Sequence, residues 1–180
     1  MDWLLQLDGN ILLWIQEYIR QDFMNGFWKF ITSLGNGGWF WIVLSLVLCA
    51  IPKTRKAGVM ALCSMALCAI VVNLGLKNIV ARPRPYTQVE GLQILIAKPT
   101  DFSFPSGHTT ASFAAAWCYF RMLPKKFGVP ALVLAVFIAL SRLYVGVHYP
   151  TDVLGGLIIG TLGSFVVYLV AKKMGRIEIH

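Results

Sequence analysis

The chain has 180 residues, of which 57% are hydrophobic and only 13% charged, and 16 Lys and Arg against 8 Asp and Glu leave a net charge of +8. Such hydrophobicity excludes an ordinary water-soluble helical core, and the lack of alternating apolar patterning excludes a β-barrel. Closed helices remain as the way to satisfy the backbone in lipid. The basic residues sit in short clusters between apolar runs, which is the pattern of membrane topology rather than of a nucleic-acid-binding face.

Residues 3–34 are apolar but broken by Asp8, Asn10, Gln16, Glu17, Arg20, Asp22, Asn25 and Lys29. Leu12, Ile15 and Ile19 recur at helical spacing, and Trp3, Trp14 and Trp28 are candidate interface anchors. The stretch reads as two amphipathic helices lying on the membrane, split near Arg20–Asp22, with a degenerate first transmembrane helix as the alternative. Gly35-Asn36-Gly37-Gly38 is a turn. Trp39–Ile51 is a membrane segment, Pro52–Lys56 a basic loop, and Ala57–Leu76 a span that ends in Lys77 and an Arg-Pro-Arg-Pro cluster. Residues 86–104 form a loop whose apolar patch, Leu92–Ala97, is expected to dip into the interface. Ser106 resembles a helix N-cap, and the helix from Gly107 to Phe120 carries a small-residue face (Ala111, Ala114, Ala115). Val129–Tyr144 and Val153–Ala171 span, the latter with Gly155, Gly156, Gly160 and Gly163 as close-approach positions. Cys49, Cys63, Cys68 and Cys118 all lie inside apolar segments without metal-ligand spacing.

The expected fold is therefore all-α, a polytopic transmembrane helix bundle forming one domain over residues 1–180. It has about five spanning helices plus N-terminal interfacial helices over 1–36, or six spans. The helices after Lys56 alternate, so Lys77–Arg84, Ser106–His108 and Arg142–Asp152 share one face. Lys53, Arg55, Lys56, Arg121, Lys125, Lys126, Lys172, Lys173 and Arg176 share the other, without acidic residues in those clusters. The positive-inside rule makes the second face cytoplasmic and the first external.

Three stretches on the outer face carry chemistry. In Ser141–Asp152, Pro150 suits the first turn of a helix. If that helix begins near His148, then His148 and Asp152 share a face. The carboxylate can then hold one ring nitrogen while the other faces a substrate. Arg142 offers a planar fork of donors to an anion. The plainer alternative is an interfacial histidine and a helix-start aspartate. In Lys77–Pro85, Lys77 with Arg82 or Arg84 can project toward a common anion, whereas ordinary membrane-end anchoring leaves the two prolines unexplained. In Phe104–His108, a glycine at a helix start exposes backbone N–H groups that, with the Ser106 hydroxyl, make a phosphate or oxyanion cradle. A capped helix with an interfacial histidine is the alternative there.

Together these stretches fit transfer of a phosphoryl group without metal, since no cluster has metal-ligand spacing and there is no Walker loop. His148, oriented by Asp152, attacks phosphorus, and Lys77, Arg84, Arg142, Ser106 and the Gly107 N–H hold the equatorial oxygens. His108 protonates the leaving oxygen, and water then hydrolyses the phosphohistidine.

The same residues resemble the three-part signature of the type 2 phosphatidic acid phosphatase (PAP2) superfamily. Its pattern is Lys, six residues, Arg-Pro; then Pro-Ser-Gly-His; then Ser-Arg, five residues, His, three residues, Asp. Lys77 with Arg84-Pro85, Pro105-Ser106-Gly107-His108, and Ser141-Arg142 with His148 and Asp152 meet it without substitution. The resemblance covers roughly residues 57–160. It implies a metal-independent phosphatase with a phosphohistidine intermediate and no cofactor; Arg82, outside the minimal pattern, takes a supporting role.

An outward site among apolar helices favours a phosphate on a membrane lipid. The resemblance widens the choice to prenyl pyrophosphates, phosphatidylglycerol phosphate, phosphatidate and lipid A. Small size, outward site and short loops are most similar to the small bacterial enzymes that recycle undecaprenyl pyrophosphate at the cytoplasmic membrane. Phosphatidylglycerol phosphate or phosphatidate is the alternative, and a soluble phosphate ester the third choice. A non-catalytic anionic-lipid-binding protein or transporter is the reading from another class. Intact His148, His108 and Asp152 argue against the first, and the scarcity of mid-membrane ionisable residues against the second. Asn73 is the main polar exception and is read as a helix–helix hydrogen bond.

Overall fold

The computed structural model describes residues 2–175, so Arg176 of the C-terminal basic cluster lies outside the described residues. Helix α1 (Asp2–Trp14) runs on through a π-helical turn, Ile15–Ile19, and stops at Arg20, whose backbone is extended. Helix α2 (Asp22–Leu34) starts afresh there, so the break falls within the predicted stretch. A glycine turn leads into α3 (Trp39–Ala50); Gly37 and Gly38 have φ of 57° and 70°, a region that a Cβ would strain. Helix α4 (Arg55–Ala69) continues through a π-helical stretch, Ile70–Leu76, into the short α5 (Lys77–Val80). Helices α6 (Gly107–Met122), α7 (Lys125–Tyr144) and α8 (Pro150–Lys173) complete the bundle.

Helix α6 is the hub and packs against α4, α7 and α8. Lipid tails are as apolar as leucine, so helices in a membrane associate through close packing and buried hydrogen bonds. Both are present. Ala114, Ala115 and Ala116 are wholly buried. A Cβ on Gly156 would meet the Ser106 carbonyl oxygen at 2.7 Å, and one on Gly160 would meet the Phe113 Cβ at 3.0 Å, so α8 needs glycine to lie on α6. Trp41 Nε1 donates to Ser112 Oγ at 2.9 Å, and the Ser45 and Tyr119 hydroxyls share a hydrogen bond of 2.6 Å, tying α3 to α6. Leu46, Leu74, Leu154, Ile158 and Leu162 face outward, as a lipid-facing surface requires.

Arg55–Thr87, Lys125–Tyr144 and Pro150–Lys173 are long and apolar enough to cross a membrane. The α2–α3 pair, bent by 48°, makes a fourth if counted as one span. The gap from the expected five or six comes from α6 and α3, which have only 16 and 12 residues. Helix α6 is largely enclosed by protein, so its length answers to its neighbours rather than to the bilayer.

The apolar patch of the long loop, expected to dip into the interface, is packed against the protein. Ile94, Leu95 and Ile96 pack on Tyr144, Val145 and Val147 together with Met24 and Trp28, and Leu95 N donates to Val145 O at 3.2 Å. The α7–α8 link presents an apolar surface, and this loop covers it.

Candidate active site

The three motif-bearing stretches meet at the N-terminal end of α6. His148, Arg84, Arg142, Lys77, Gly107 and His108 line one cavity of about 410 Å³. His148 lies in the link ahead of α8, which starts at Pro150 rather than near His148. The two residues therefore do not share a helix face. They meet because Asp152 folds back to accept a hydrogen bond from Tyr149 N at 2.9 Å, which brings its Oδ2 to 3.5 Å from His148 Nδ1. The other ring nitrogen, Nε2, is 3.2 Å from Arg84 Nη1. An arginine donates only to an unprotonated nitrogen, so this contact selects the tautomer with its proton on Nδ1, toward Asp152. Burial lowers His148 to about 4, with the Asp152 carboxylate opposing and the Arg142 and Arg84 charges adding to the fall. The ring is thus neutral at physiological pH, and its Nε2 lone pair faces the Arg84 guanidinium at the cavity.

The cationic side of the cavity is organised by a residue that the motifs do not contain. Arg84 Nη2 donates to Asp101 Oδ1 at 2.7 Å and Arg84 Nε to the Asp101 carbonyl at 2.8 Å, while Lys77 Nζ pairs with Asp101 Oδ2. Arg84 Nη1 also donates to Val147 O at 2.8 Å, which fixes the guanidinium plane. Burial raises the Asp101 carboxyl, but hydrogen bonds from Lys77 and Arg84 and their charges outweigh it and bring it to about 2. Its side chain remains half exposed at the mouth. An acid in a long loop gives no signal in sequence that it will meet two cations from elsewhere.

Helix α2 and its turn form the opposite wall. Arg142 is 2% exposed, its Nη1 donates to Thr32 Oγ1 at 2.5 Å, and its Nε has no partner among the described residues. His108 Nε2 lies 2.9 Å from Asn36 Oδ1. The Gly35 backbone rests on the same imidazole, and a Cβ there would stand 2.5 Å from His108 Cδ2. Lys29 and Asn36 complete the rim. The only hints of these partners in sequence were a polar residue inside an apolar helix and an asparagine in a glycine turn.

Two expected site residues stand back from the cavity. Ser106 is fully buried and caps α6, accepting from Thr109 Oγ1 at 3.0 Å and from Thr109 N at 3.5 Å, so its hydroxyl is not in the cavity wall. Gly107 alone presents the helix start there. Arg82 turns the other way and donates to Asp152 Oδ1 at 2.7 Å. A second, apolar cavity of about 300 Å³ shares Lys77, Gly107 and His108 and runs inward past Met65, Val72 and Ala111. Asn73 is exposed and lines this cavity rather than bridging two helices, because the π-helical stretch turns it toward the opening.

The description of the PAP2 superfamily matches residues 57–176. Undecaprenyl-diphosphatase of Sulfolobus acidocaldarius is 34% identical over 143 residues, covering 79% of this chain and 68% of that protein. Undecaprenyl-diphosphatase BcrC of Bacillus subtilis is 31% identical over 144 residues, covering 77% and 70%. The solved structure of the PAP2 type phosphatidylglycerolphosphate phosphatase from Bacillus subtilis superposes with a TM-score of 0.81 at 28% identity, over 99% of this chain and 90% of that one. Motifs, fold and relatives agree, and the chain belongs to the PAP2 superfamily as one of its membrane lipid phosphatases.

Proposed function

We propose that this protein hydrolyses a prenyl diphosphate lipid, undecaprenyl pyrophosphate to undecaprenyl phosphate, at the outer face of a bacterial cytoplasmic membrane. The observation that carries this reading is the charge of the cavity. Lys29, Lys77, Arg84 and Arg142 line it with one carboxylate, Asp101, so four positive charges less one leave three when both imidazoles are neutral. A lipid diphosphate brings about three negative charges near neutral pH and a phosphate monoester about two. The apolar cavity beside the cations accepts the first units of a hydrocarbon chain, and two relatives named as undecaprenyl-diphosphatases support the same substrate. Basic clusters at Lys53–Lys56, Arg121–Lys126 and Lys172–Lys173 support an outward site by the positive-inside rule.

The roles follow the geometry. His148 Nε2 attacks the terminal phosphorus, and the bond from phosphorus to the bridging oxygen breaks in line. His108, which takes up a proton once the anion is bound beside it, gives that proton to the oxygen and releases the lipid monophosphate. Lys77, Arg84, Arg142 and the Gly107 N–H hold the phosphoryl oxygens, replacing the contacts that Asp101 makes with the first two. Asp152 steadies the imidazolium. Water then attacks the phosphohistidine and gives a proton back to His108, the phosphorus–nitrogen bond breaks, and inorganic phosphate leaves. Among the described residues no three His, Cys, Asp or Glu converge to hold a metal ion, and these steps use only the protein's own groups and water. The N-terminal helices, which supply Thr32 and Asn36 to the wall, belong to the same single domain.

Phosphatidylglycerol phosphate is the second reading, favoured by the likeness to the Bacillus subtilis phosphatase over nearly the whole chain. Phosphate release by purified protein, compared across undecaprenyl pyrophosphate, phosphatidylglycerol phosphate and phosphatidate, decides between them. A preference of kcat/KM for either glycerolipid overturns the prenyl diphosphate reading.

A further inference from the structure

Asp8 lies on α1 between Leu7 and Gly9, and it is 2% exposed. It lies against the start of α8. Its Oδ2 accepts from Arg82 Nη2 at 2.7 Å and from the Thr151 hydroxyl, and its Oδ1 from Thr151 N at 3.3 Å. The other arm of the same guanidinium, Arg82 Nη1, donates to Asp152 Oδ1 at 2.7 Å and to Thr151 Oγ1 at 2.6 Å. Arg82 also lies over the Tyr149 ring, 4.0 Å from its centroid. Asp152 in turn is wholly buried, takes Ser103 Oγ and Tyr149 N on its Oδ2, and turns that oxygen toward His148 Nδ1.

This is a chain of alternating charge: Asp8, Arg82, Asp152, then the imidazole. Docking α1 does not require an ionised side chain, and burying one is costly unless it is paired. With Arg82 alone behind it, Asp152 would be half of a neutral pair, and its negative charge would count for little at His148. Asp8 neutralises Arg82, so the three groups together present one net negative charge. That charge is useful at one moment, when Nε2 bonds to phosphorus and the ring becomes cationic.

We propose that Asp8, on the N-terminal helix, is a positioning residue for His148, acting through Arg82 and Asp152. The inference rests on His148 being the nucleophile, though not on which lipid is cleaved. Helix α1 is therefore part of the phosphoryl-transfer apparatus rather than only a membrane anchor.

The test uses the full chain in detergent with Asp8→Asn, which keeps the shape and removes the charge. On undecaprenyl pyrophosphate, kcat falls about tenfold while KM stays within about twofold. The acid limb of kcat/KM, where His148 protonates, moves to lower pH because a nearby negative charge is gone. The other charged and titratable groups facing that ring are Asp152 from α8, Arg142 from α7, His108 from α6, Lys77 from α5, and Arg84 with Asp101 from the loop, and all are unchanged in this variant. Leu12→Ala, at a buried position on the same helix, lowers the thermal midpoint without moving that limb. Asp8→Asn with Arg82→Gln removes one charge of each sign, returns the net negative charge to Asp152, and recovers part of the lost kcat. Vanadate, a five-coordinate phosphorus mimic bonded through Nε2, binds Asp8→Asn about tenfold more weakly whatever lipid the enzyme uses. An unmoved acid limb with unchanged vanadate affinity, or a double variant no better than Asp8→Asn, overturns the role. Wild-type protein inactive on undecaprenyl pyrophosphate overturns the substrate instead and leaves the vanadate titration to judge Asp8.

Discussion

Replacing Asp101 by asparagine tests how the cradle receives its anion. In the free enzyme this carboxylate occupies Lys77 and Arg84, the two cations that a phosphoryl group also needs. Its carboxyl, ordinarily near 3.9, stands at about 2, burial being outweighed by those two partners. At ~1.4 kcal/mol per pH unit, the interaction favouring the ionised form amounts to ~2.5 kcal/mol. Because the side chain is half exposed, screening reduces this to ~1–1.5 kcal/mol. An incoming phosphate must displace that much, so Asp101→Asn should bind inorganic phosphate about tenfold tighter. The assay is product inhibition of purified enzyme at pH 7, with the inhibition constant for inorganic phosphate compared between wild type and variant. An unchanged or weaker constant would show that Asp101 holds Lys77 and Arg84 in place for the substrate rather than standing in for it. Linkage offers a second readout. The folded carboxyl lies below its unfolded value, so its contribution to stability is full above about pH 4. That contribution is lost as pH falls toward about 2, and Asp101→Asn removes this part of the acid destabilisation.

His148→Ala abolishes turnover, by at least about 10⁴-fold, while the protein still inserts and keeps its helical circular dichroism; substantial residual hydrolysis would remove His148 as nucleophile. Gly35→Ala drives a Cβ into His108 and to 2.9 Å from Ile138, so kcat drops about tenfold or more and the thermal midpoint falls. Lys29→Ala raises KM for a lipid diphosphate about fivefold and leaves a lipid monophosphate unaffected; equal effects on both would mean that Lys29 does not meet the leaving phosphate. Turnover measured in EDTA stays within about twofold of that without it, and loss restored by added metal would refute the side-chain mechanism.

The bundle and the grouping of the motif residues were legible in the sequence because their signals are local. Apolar runs near spanning length dictate helices in lipid, and the pattern of Lys and Arg between them orders the ends. Three short motifs carry His148, His108, Lys77, Arg84 and Arg142, each tied to a helix end by its own proline or glycine. A helix end is a local feature, so their gathering at one end of the bundle follows from counting spans. The partners were not legible. Asp101, Asp8, Thr32 and Asn36 stand 24, 74, 110 and 72 residues from the side chains they hold. Nothing local marks an acid in a loop or on an apolar helix as the mate of a distant arginine. Even the His148–Asp152 pair, correctly matched by spacing, depends on a fold-back onto the Tyr149 N–H rather than on a helix face. The sequence by itself determined the membrane bundle and which cationic and imidazole side chains gather at one end of it. Only tertiary packing, the laying of α1 and α2 against α7 and α8, decided which of those groups face the cavity and which carboxylates balance their charge. Electrostatic pairing depends on distance in space, and chain order carries no record of that.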